Sequence, residues 1–388
     1  MMRLLPWEYA VRNLGRAPLR MALSMGGCGI VVLLVLASVG FVRGMQKSLT
    51  FSGGTDNVIL LSAGSEESIE RSEIDGSIAG TAAASISGIR ERLGVKYISP
   101  EFHAAPLVYL ERNSPERYMA LMRGIRPEAF LVHPQVRIVE GHAPGTGEIL
   151  VGHLAATRMG VPNESLEVGK QLWFDNRAWT VAGHFEAPGT VMEAEIWIPL
   201  TDLQIAMKRE SKFSCVIMTL GSAELGDVQE FVKRRPDLEL VAFREADYYG
   251  KLMTFFRPVQ TMVWIATVLL AMGGLLGGLN TMYAAFASRV RELGSLQALG
   301  FKRRAIVLSL VQESVLTAVV GTLIAAVIGL ALLNGVGVRF SMGAFRLMID
   351  APALATGFAA GAGLGLLGAL PPAWRCLRMP IPDALKSA

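Results

Sequence analysis

SRVRELGSLQALGFKRRAIVLSLVQESV, from Ser288 to Val315, places a short charged segment between two apolar runs. Arg289 and Arg291 bracket Glu292, while Leu293, Leu296 and Leu299 recur at every third residue. Gly300 closes the segment ahead of Lys302, Arg303 and Arg304. Three-residue recurrence puts the leucines along one helical face. A basic cluster beside a long apolar run marks the cytoplasmic side of a membrane span. The spacing therefore predicts a cytoplasmic surface helix and loop over 289–304, shaped to offer a knob to a partner.

Four runs lack any charged residue: 21–42, 258–288, 314–338 and 351–374. Each is long enough to cross a hydrocarbon core of about 30 Å, which takes roughly 20 apolar residues as a helix. With 52% hydrophobic and only 18% charged residues, the 388-residue chain is too apolar for an ordinary soluble enzyme. The expected fold class is an α-helical membrane protein with four transmembrane helices, 21–44, 258–288, 305–338 and 351–374, plus an α/β extracytoplasmic domain. The first span exceeds a signal-peptide core and no A-x-A site follows it, so it reads as an uncleaved anchor.

Charge sets the orientation. Arg3, Arg12, Arg16 and Arg20 precede the first span and Arg375, Arg378 and Lys386 follow the fourth, whereas the outer loop 339–350 carries only Arg339 and Arg346. Both termini are expected in the cytoplasm, with 375–388 as a tail and 45–257 outside. Residues 43–257 hold 23 Lys and Arg against 28 Asp and Glu, and the remainder 14 against 5. The basic total is a membrane-flank effect, and no nucleic-acid partner is expected. Cys28, Cys215 and Cys376 fall in three different compartments, which excludes an internal disulfide. Residues 1–20, with WEYAVRNLGRAPLR, read as a cytoplasmic interfacial helix or as a simple charged anchor.

The outer segment reads as two subdomains. NVILLSAG from Asn57 is a strand, ISGIRERLG a helix and VKYISP a strand. CVIMTLGSAELGDVQEFVKRRPDLELVAF repeats strand, helix, strand. These β-α-β pieces, 45–108 and 213–257, are expected to form a membrane-proximal, porter-like subdomain, with 109–212 inserted as a β-rich module. In that module Asp175 and Asn176 join two strands as hairpin residues. The acidic run from Ser65 to Asp75 reads as a solvated loop. Gly273 and Gly277 in the second span and Gly357, Gly361 and Gly365 in the fourth recur at one-turn intervals suited to close helix packing, as do Gly274 and Gly278.

Chemistry motifs are missing. The sequence has no G-x-x-x-x-G-K-[ST], no H-E-x-x-H and no G-x-S-x-G. No catalytic residue and no metal site is expected, and His103, His133, His142, His153 and His184 read as surface or packing residues. Glu313 is an acid in the third span. It is expected to pair with an arginine of the first helix or to reinforce contact with a cytoplasmic partner.

R-V-R-E-L-G-S-L-Q-A-L-G resembles the R-x-R-E-[IL]-G-x-[LM]-[RK]-A-[LM]-G signature of the MacB/FtsX-type permeases of ABC transporters, departing mainly at Gln297. RNLGRAPLRMALSMGG, PPAWRCLRMPIPDALK, GIRPEAF, GHAPGTGEILVG, LEVGKQLWFDNRAWTVAGHFEAPG and IWIPL extend the resemblance along most of the chain. The resemblance implies an inner-membrane permease subunit that pairs with a second permease copy or paralogue. It also implies a separate ATP-binding subunit, which holds ATP and Mg while this chain binds no cofactor. Arg289, Arg291, Glu292, Leu293, Leu296, Leu299 and Gly300 would be the coupling helix. Further implied partners are membrane lipid, a periplasmic adaptor and an outer-membrane channel. The work would be export or extraction of a lipid, lipoprotein, peptide or hydrophobic compound. The alternatives are an FtsX-like regulator of cell-wall hydrolases and, less favoured, a membrane-anchored extracytoplasmic enzyme or sensor.

Overall fold

Residues 18–378 are described by a computed structural model, except Asn113, Ser341, Met342 and the side chain of Arg20. The interfacial helix expected before residue 18 and the tail past 378, including Lys386, lie outside the described residues. Two compact units make up the chain. One comprises the chain up to Arg43, Pro258–Val336 and the chain from Leu347; the other is Gly44–Arg257 with Gly337–Arg346.

A ten-stranded sheet organises the second unit. Its strands are β1 (Asn57–Ser62), β2 (Ile98–Ala104), β3 (Leu121–Ile125), β4 (Arg137–Gly141) and β5 (Glu148–Gly152), followed by β6 (Gln171–Phe174), β7 (Arg177–Glu186), β8 (Glu195–Pro199), β9 (Cys215–Thr219) and β10 (Leu240–Arg244). They run in the order β6-β7-β5-β8-β3-β2-β9-β1-β10, with β4 on β7. Val58, Ile59, Leu60 and Leu61 are all buried, as a strand covered on both faces requires.

The strands from the two ends of the segment take the order β10-β1-β9-β2. Both β1 and β2 are antiparallel to β9, so they are parallel to each other across it. Helices Ile78–Ser85 and Leu225–Arg234 follow β1 and β9, giving a split βαβ repeat. β2 then changes partner midway: Ile98–Glu101 pairs with β9 and Phe102–Ala104 with β3. The inserted stretch is thus continuous with the end strands through one shared strand.

Local chemistry accounts for the turns. Asp175 and Asn176 carry φ of 48° and 59°, the two left-handed positions of a tight hairpin whose twist matches its strands. Trp179 stacks on Phe174 across that hairpin with ring centroids 4.7 Å apart. One expectation fails: ISGIRERLG is not a helix. The helix lies earlier, in the alanine-rich Ile78–Ser85, and Glu91–Arg92 pairs with Val95–Lys96. Gly88 and Gly94, with φ of 82° and 80°, lie outside helical backbone. The acidic run is also more ordered than a solvated loop: Ser72 and Ile74 are buried, and Ile74–Asp75 pairs with Lys212–Phe213.

Among the described residues, four helices are long and apolar enough to cross a membrane: Met21–Ser52, Arg257–Ala287, Arg303–Leu333 and Ala351–Cys376. The third ends in a π-helical turn, Gly329–Leu333. The third helix stops at Leu333, short of the expected 338, and a hairpin of Gly337–Phe340 with Gly343–Arg346 takes up the last expected residues of that span and most of the expected outer loop 339–350. The fourth helix starts at a side-chain cap: Asp350 accepts the Ala353 N–H at 3.1 Å and the Arg43 guanidinium at 2.5 and 2.7 Å.

Glycine sets helix spacing here, but not only where the sequence suggested. Gly357, Gly361 and Gly365 are buried; a Cβ at Gly365 would lie 2.9 Å from Ala318 Cβ and 3.2 Å from Val315 Cα. Among the described residues, nothing lies within 4 Å of a Cβ built at Gly273 or Gly277, and the second span makes its close approach through Gly274 onto Val31. A close backbone crossing falls at Gly321, where a Cβ would meet the Met25 carbonyl oxygen at 2.6 Å. Gly321→Val is therefore expected to destabilise the bundle by about 1–3 kcal/mol through overpacking. Thermal unfolding of the purified chain in detergent reads this, and an unchanged midpoint would refute the close crossing.

Candidate functional site

Helix Val290–Ala298 begins three residues beyond the second membrane-capable helix and ends five before the third. Val290 and Leu293 are buried with Phe286, Ile306, Leu310, Ala373 and Cys376, and Leu296 packs partly against that cluster. Two hydrogen bonds end the helix: Gly300 N–H to Gln297 O at 3.0 Å and Phe301 N–H to Leu296 O at 3.2 Å. With Gly300 at φ 91°, this is the Schellman cap that favours glycine. Gly300→Ala should cost about 1–2 kcal/mol, the penalty of left-handed backbone. Amide hydrogen exchange over 296–301 should accelerate, and unchanged protection would contradict the cap.

The expected leucine face is only partly real. Leu293 and Leu296 face the bundle, but Leu299 is 71% exposed. Leu299 is the C-cap residue, where the chain already leaves the helical path, so three-residue spacing no longer fixes its direction. The outward surface is made by Arg291, Glu292, Ser295, Ala298, Leu299 and Gly300.

Arg289 points the other way. It is 8% exposed, and its Nη1 lies 3.1 and 3.2 Å from the two Glu313 oxygens, with Nε 3.4 Å from Glu292 Oε2. Burial pulls its pKa down, but the Glu313 carboxylate outweighs that and the net shift is upward. The pair joins the N-terminus of the surface helix to the third long helix. Glu313 is thus paired with Arg289; the arginines expected to meet it from the first helix, Arg3, Arg12, Arg16 and the side chain of Arg20, lie outside the described residues. Above them a cavity of about 370 Å³ opens among the four long helices, lined by Cys28, Val31, Gly274, Thr281, Ser314 and Gly365, among others.

A second constellation escaped sequence reading. In the sheet unit, Arg123 on β3 is 1% exposed and grips Glu195 of β8 with Nε and Nη2, each at 2.7 Å, and Glu101 of β2 with Nη1 at 2.7 Å. His133 Nε2 lies 2.8 Å from the other Glu101 oxygen, Ser99 donates to that same oxygen at 2.8 Å, and Trp197 donates to Glu195 at 2.9 Å. Burial pushes both carboxyls up, yet Arg123 holds Glu101 well below, and Glu195 below, the ordinary value. Glu101 is the residue at which β2 changes from β9 to β3, so the network clamps the seam between end strands and insert. The only hint in sequence was charge inside strand-like runs.

Glu101, His103 and Cys215 bring potential metal donors within 4.8 Å of one another. The chemistry disfavours a cation. Both Glu101 oxygens are already engaged, Arg123 places a positive charge there, and burial together with Glu101 drives the Cys215 thiol far up. All three cysteines are free. His184 bonds the Leu166 carbonyl at 2.8 Å, and His142 and His153 sit beside single exposed or half-exposed carboxylates.

Comparison with known proteins matches residues 21–234 to the MacB-like periplasmic core domain and residues 264–381 to the FtsX-like permease C-terminal domain. A macrolide export ATP-binding/permease protein MacB from Burkholderia cenocepacia is 31% identical over 233 residues, covering 56% of this chain and 33% of that protein. The corresponding protein of Rhodopseudomonas palustris is 26% identical over 194 residues, covering 47% and 29%. This chain thus spans about a third of the length of these relatives. The crystal structure of the periplasmic region of MacB from Actinobacillus actinomycetemcomitans aligns with TM-score 0.39 and 13% identity over 52% of this chain and 94% of that one. With its periplasmic-core match over more than half its length and its permease match beyond, this chain belongs to the MacB/FtsX-type ABC transporter permeases.

Proposed function

We propose that this chain is the membrane subunit of an assembly in the bacterial inner membrane, moved by a separate subunit that binds and hydrolyses ATP. Both termini lie in the cytoplasm, and Gly44–Arg257 lies outside, its end strands forming a membrane-proximal, porter-like part with 109–212 inserted. The observation that carries the reading is the surface helix Val290–Ala298. One side is anchored by Val290, Leu293 and the Arg289–Glu313 pair, while Arg291, Glu292 and Leu299 are presented outward. A helix fixed to a long helix by a buried ion pair moves with it, so force applied outside reaches the spans. ATP and Mg belong to the partner.

A second permease copy or a paralogue is part of the proposal. Only 6% of the most apolar stretch of the second span is buried within the chain, against 33–39% for the other three. The proposed cargo is a lipid, lipoprotein, peptide or hydrophobic compound.

Two measurements test this. Pull-down of the tagged chain should bring an ATP-binding protein, and Glu292→Lys should reduce that association or its ATPase activity at least several-fold; unchanged values would end the coupling assignment. In spheroplasts, an impermeant thiol reagent should label Leu93→Cys, at the 95%-exposed Leu93, but not Leu299→Cys. Labelling of Leu299→Cys without permeabilisation would invert the topology.

A further inference from the structure

The sheet unit holds a cation without a counter-charge. Arg158, on the short helix Ala155–Met159, is 2% exposed, yet its Nε and Nη1 have no hydrogen-bond partner. Its Nη2 reaches only the Met119 sulfur, at 3.8 Å. A second guanidinium stands beside it: Arg339 of the hairpin strand Gly337–Phe340, whose Nη1 lies 3.5 Å from the Met159 carbonyl. Arg346 of the same hairpin takes Glu193 at 3.5 Å. Among the described residues, Arg158 and Arg339 have no acid within ion-pair distance. Burial and the charge of Arg339 both depress the Arg158 pKa.

Buried charges in proteins are paired, because stripping water from an ion is not repaid otherwise. Two guanidiniums side by side with no acid suit an oxyanion that accepts from both forks, and phosphate oxygens match that planar donor geometry. Access exists. Arg339 is exposed, Met119 is 42% exposed, and a thioether is a weak acceptor that an oxyanion displaces. Gly160, at φ 78°, lets the Arg339 guanidinium sit close to the end of the Arg158 helix, since a Cβ there would lie 3.1 Å from Arg339 Nη1.

We propose that Arg158 and Arg339 form a binding site for a phosphate-class oxyanion, carried by a phospholipid headgroup or by free phosphate. Chain reach favours the headgroup. Arg339 follows Leu333, the last residue of the third membrane-capable helix, by six positions, a span of at most about 20 Å fully extended. The site is independent of the proposed coupling to an ATPase and requires only that the hairpin end of that helix meet the bilayer surface.

The test is thermal unfolding of the full chain in neutral detergent at constant ionic strength. The probes are inorganic phosphate exchanged for chloride, dihexanoyl-phosphatidylglycerol and dihexanoyl-phosphatidylcholine. A saturable rise in Tm is expected with phosphate or phosphatidylglycerol. Arg158→Met and Arg339→Gln should each raise the half-saturating concentration at least tenfold. Response to both probes, or to phosphatidylglycerol alone, assigns the headgroup; response to phosphate alone assigns the free ion. No saturable response, or variants that respond as the parent does, overturns the site. Should Arg158→Met not fold, Arg339→Gln on the exposed side decides alone.

Discussion

Arg123→Met is expected to destabilise the sheet unit by about 3–5 kcal/mol, the usual cost of removing one member of a buried ion pair. For a unit of this size that lowers Tm by roughly 10 °C. The magnitude follows from what stays behind: Glu101 and Glu195, buried and stripped of a partner whose nitrogens lie 2.7 Å away. The pH dependence should change sign. In the parent both carboxyls are held below their ordinary value. Their stabilisation is therefore present above the unfolded carboxylate pKa, about 4.3, and is lost as pH falls through the folded values. Without Arg123, burial is left as the dominant influence and pushes both carboxyls up, so the variant should gain stability on acidification from pH 8 to 5. Thermal unfolding at several pH values checks both parts. A variant with the parent's slope, or a Tm loss of only a degree or two, would mean that the clamp contributes little. Adding Glu101→Gln and Glu195→Gln should recover part of the loss.

The second large effect is expected at the charged motif from Arg289 to Gly300. Arg289→Met removes the charge lying 3.1 Å from Glu313 and unseats the N-terminus of helix Val290–Ala298. A coupling energy of about 1–3 kcal/mol between Arg289→Met and Glu313→Gln is expected from a double-mutant cycle on unfolding, as for residues in direct contact. Since Glu292 and Leu299 remain outward, association with an ATP-binding partner should survive in Arg289→Met. The ATPase rate of the assembly should nonetheless fall at least tenfold, because the lever is detached from the spans. Additive stabilities together with full ATPase activity would remove the lever mechanism. Loss of association instead would place Arg289 in the contact surface itself, as the family motif implied.

Part of this architecture is legible in the order of residues. Four stretches without charge announce four membrane-capable helices because desolvating charge in lipid is costly, a constraint visible one residue at a time. The Asp175–Asn176 turn is equally local, since few residue types tolerate two consecutive left-handed positions. The strand, helix, strand order of Cys215–Arg244 also emerges from period and punctuation. Where two local signals compete, the reading fails: ISGIRERLG has helical residues, but Gly88 and Gly94 set its backbone.

Sequence alone thus determined the number of long apolar helices, the α/β character of the large insert and the boundaries of the charged segment after Ser288, since each depends on neighbours a few residues apart. Tertiary structure alone decided that Arg289 turns inward to Glu313 while Leu299 turns out. It alone decided that Glu101, Arg123 and Glu195 meet at the strand shared by both parts of the sheet, and that Gly321, in none of the noted repeats, sits at a close backbone crossing with Met25. These are pairings between residues distant along the chain, and no periodicity within either segment encodes which partner the other end of the fold supplies.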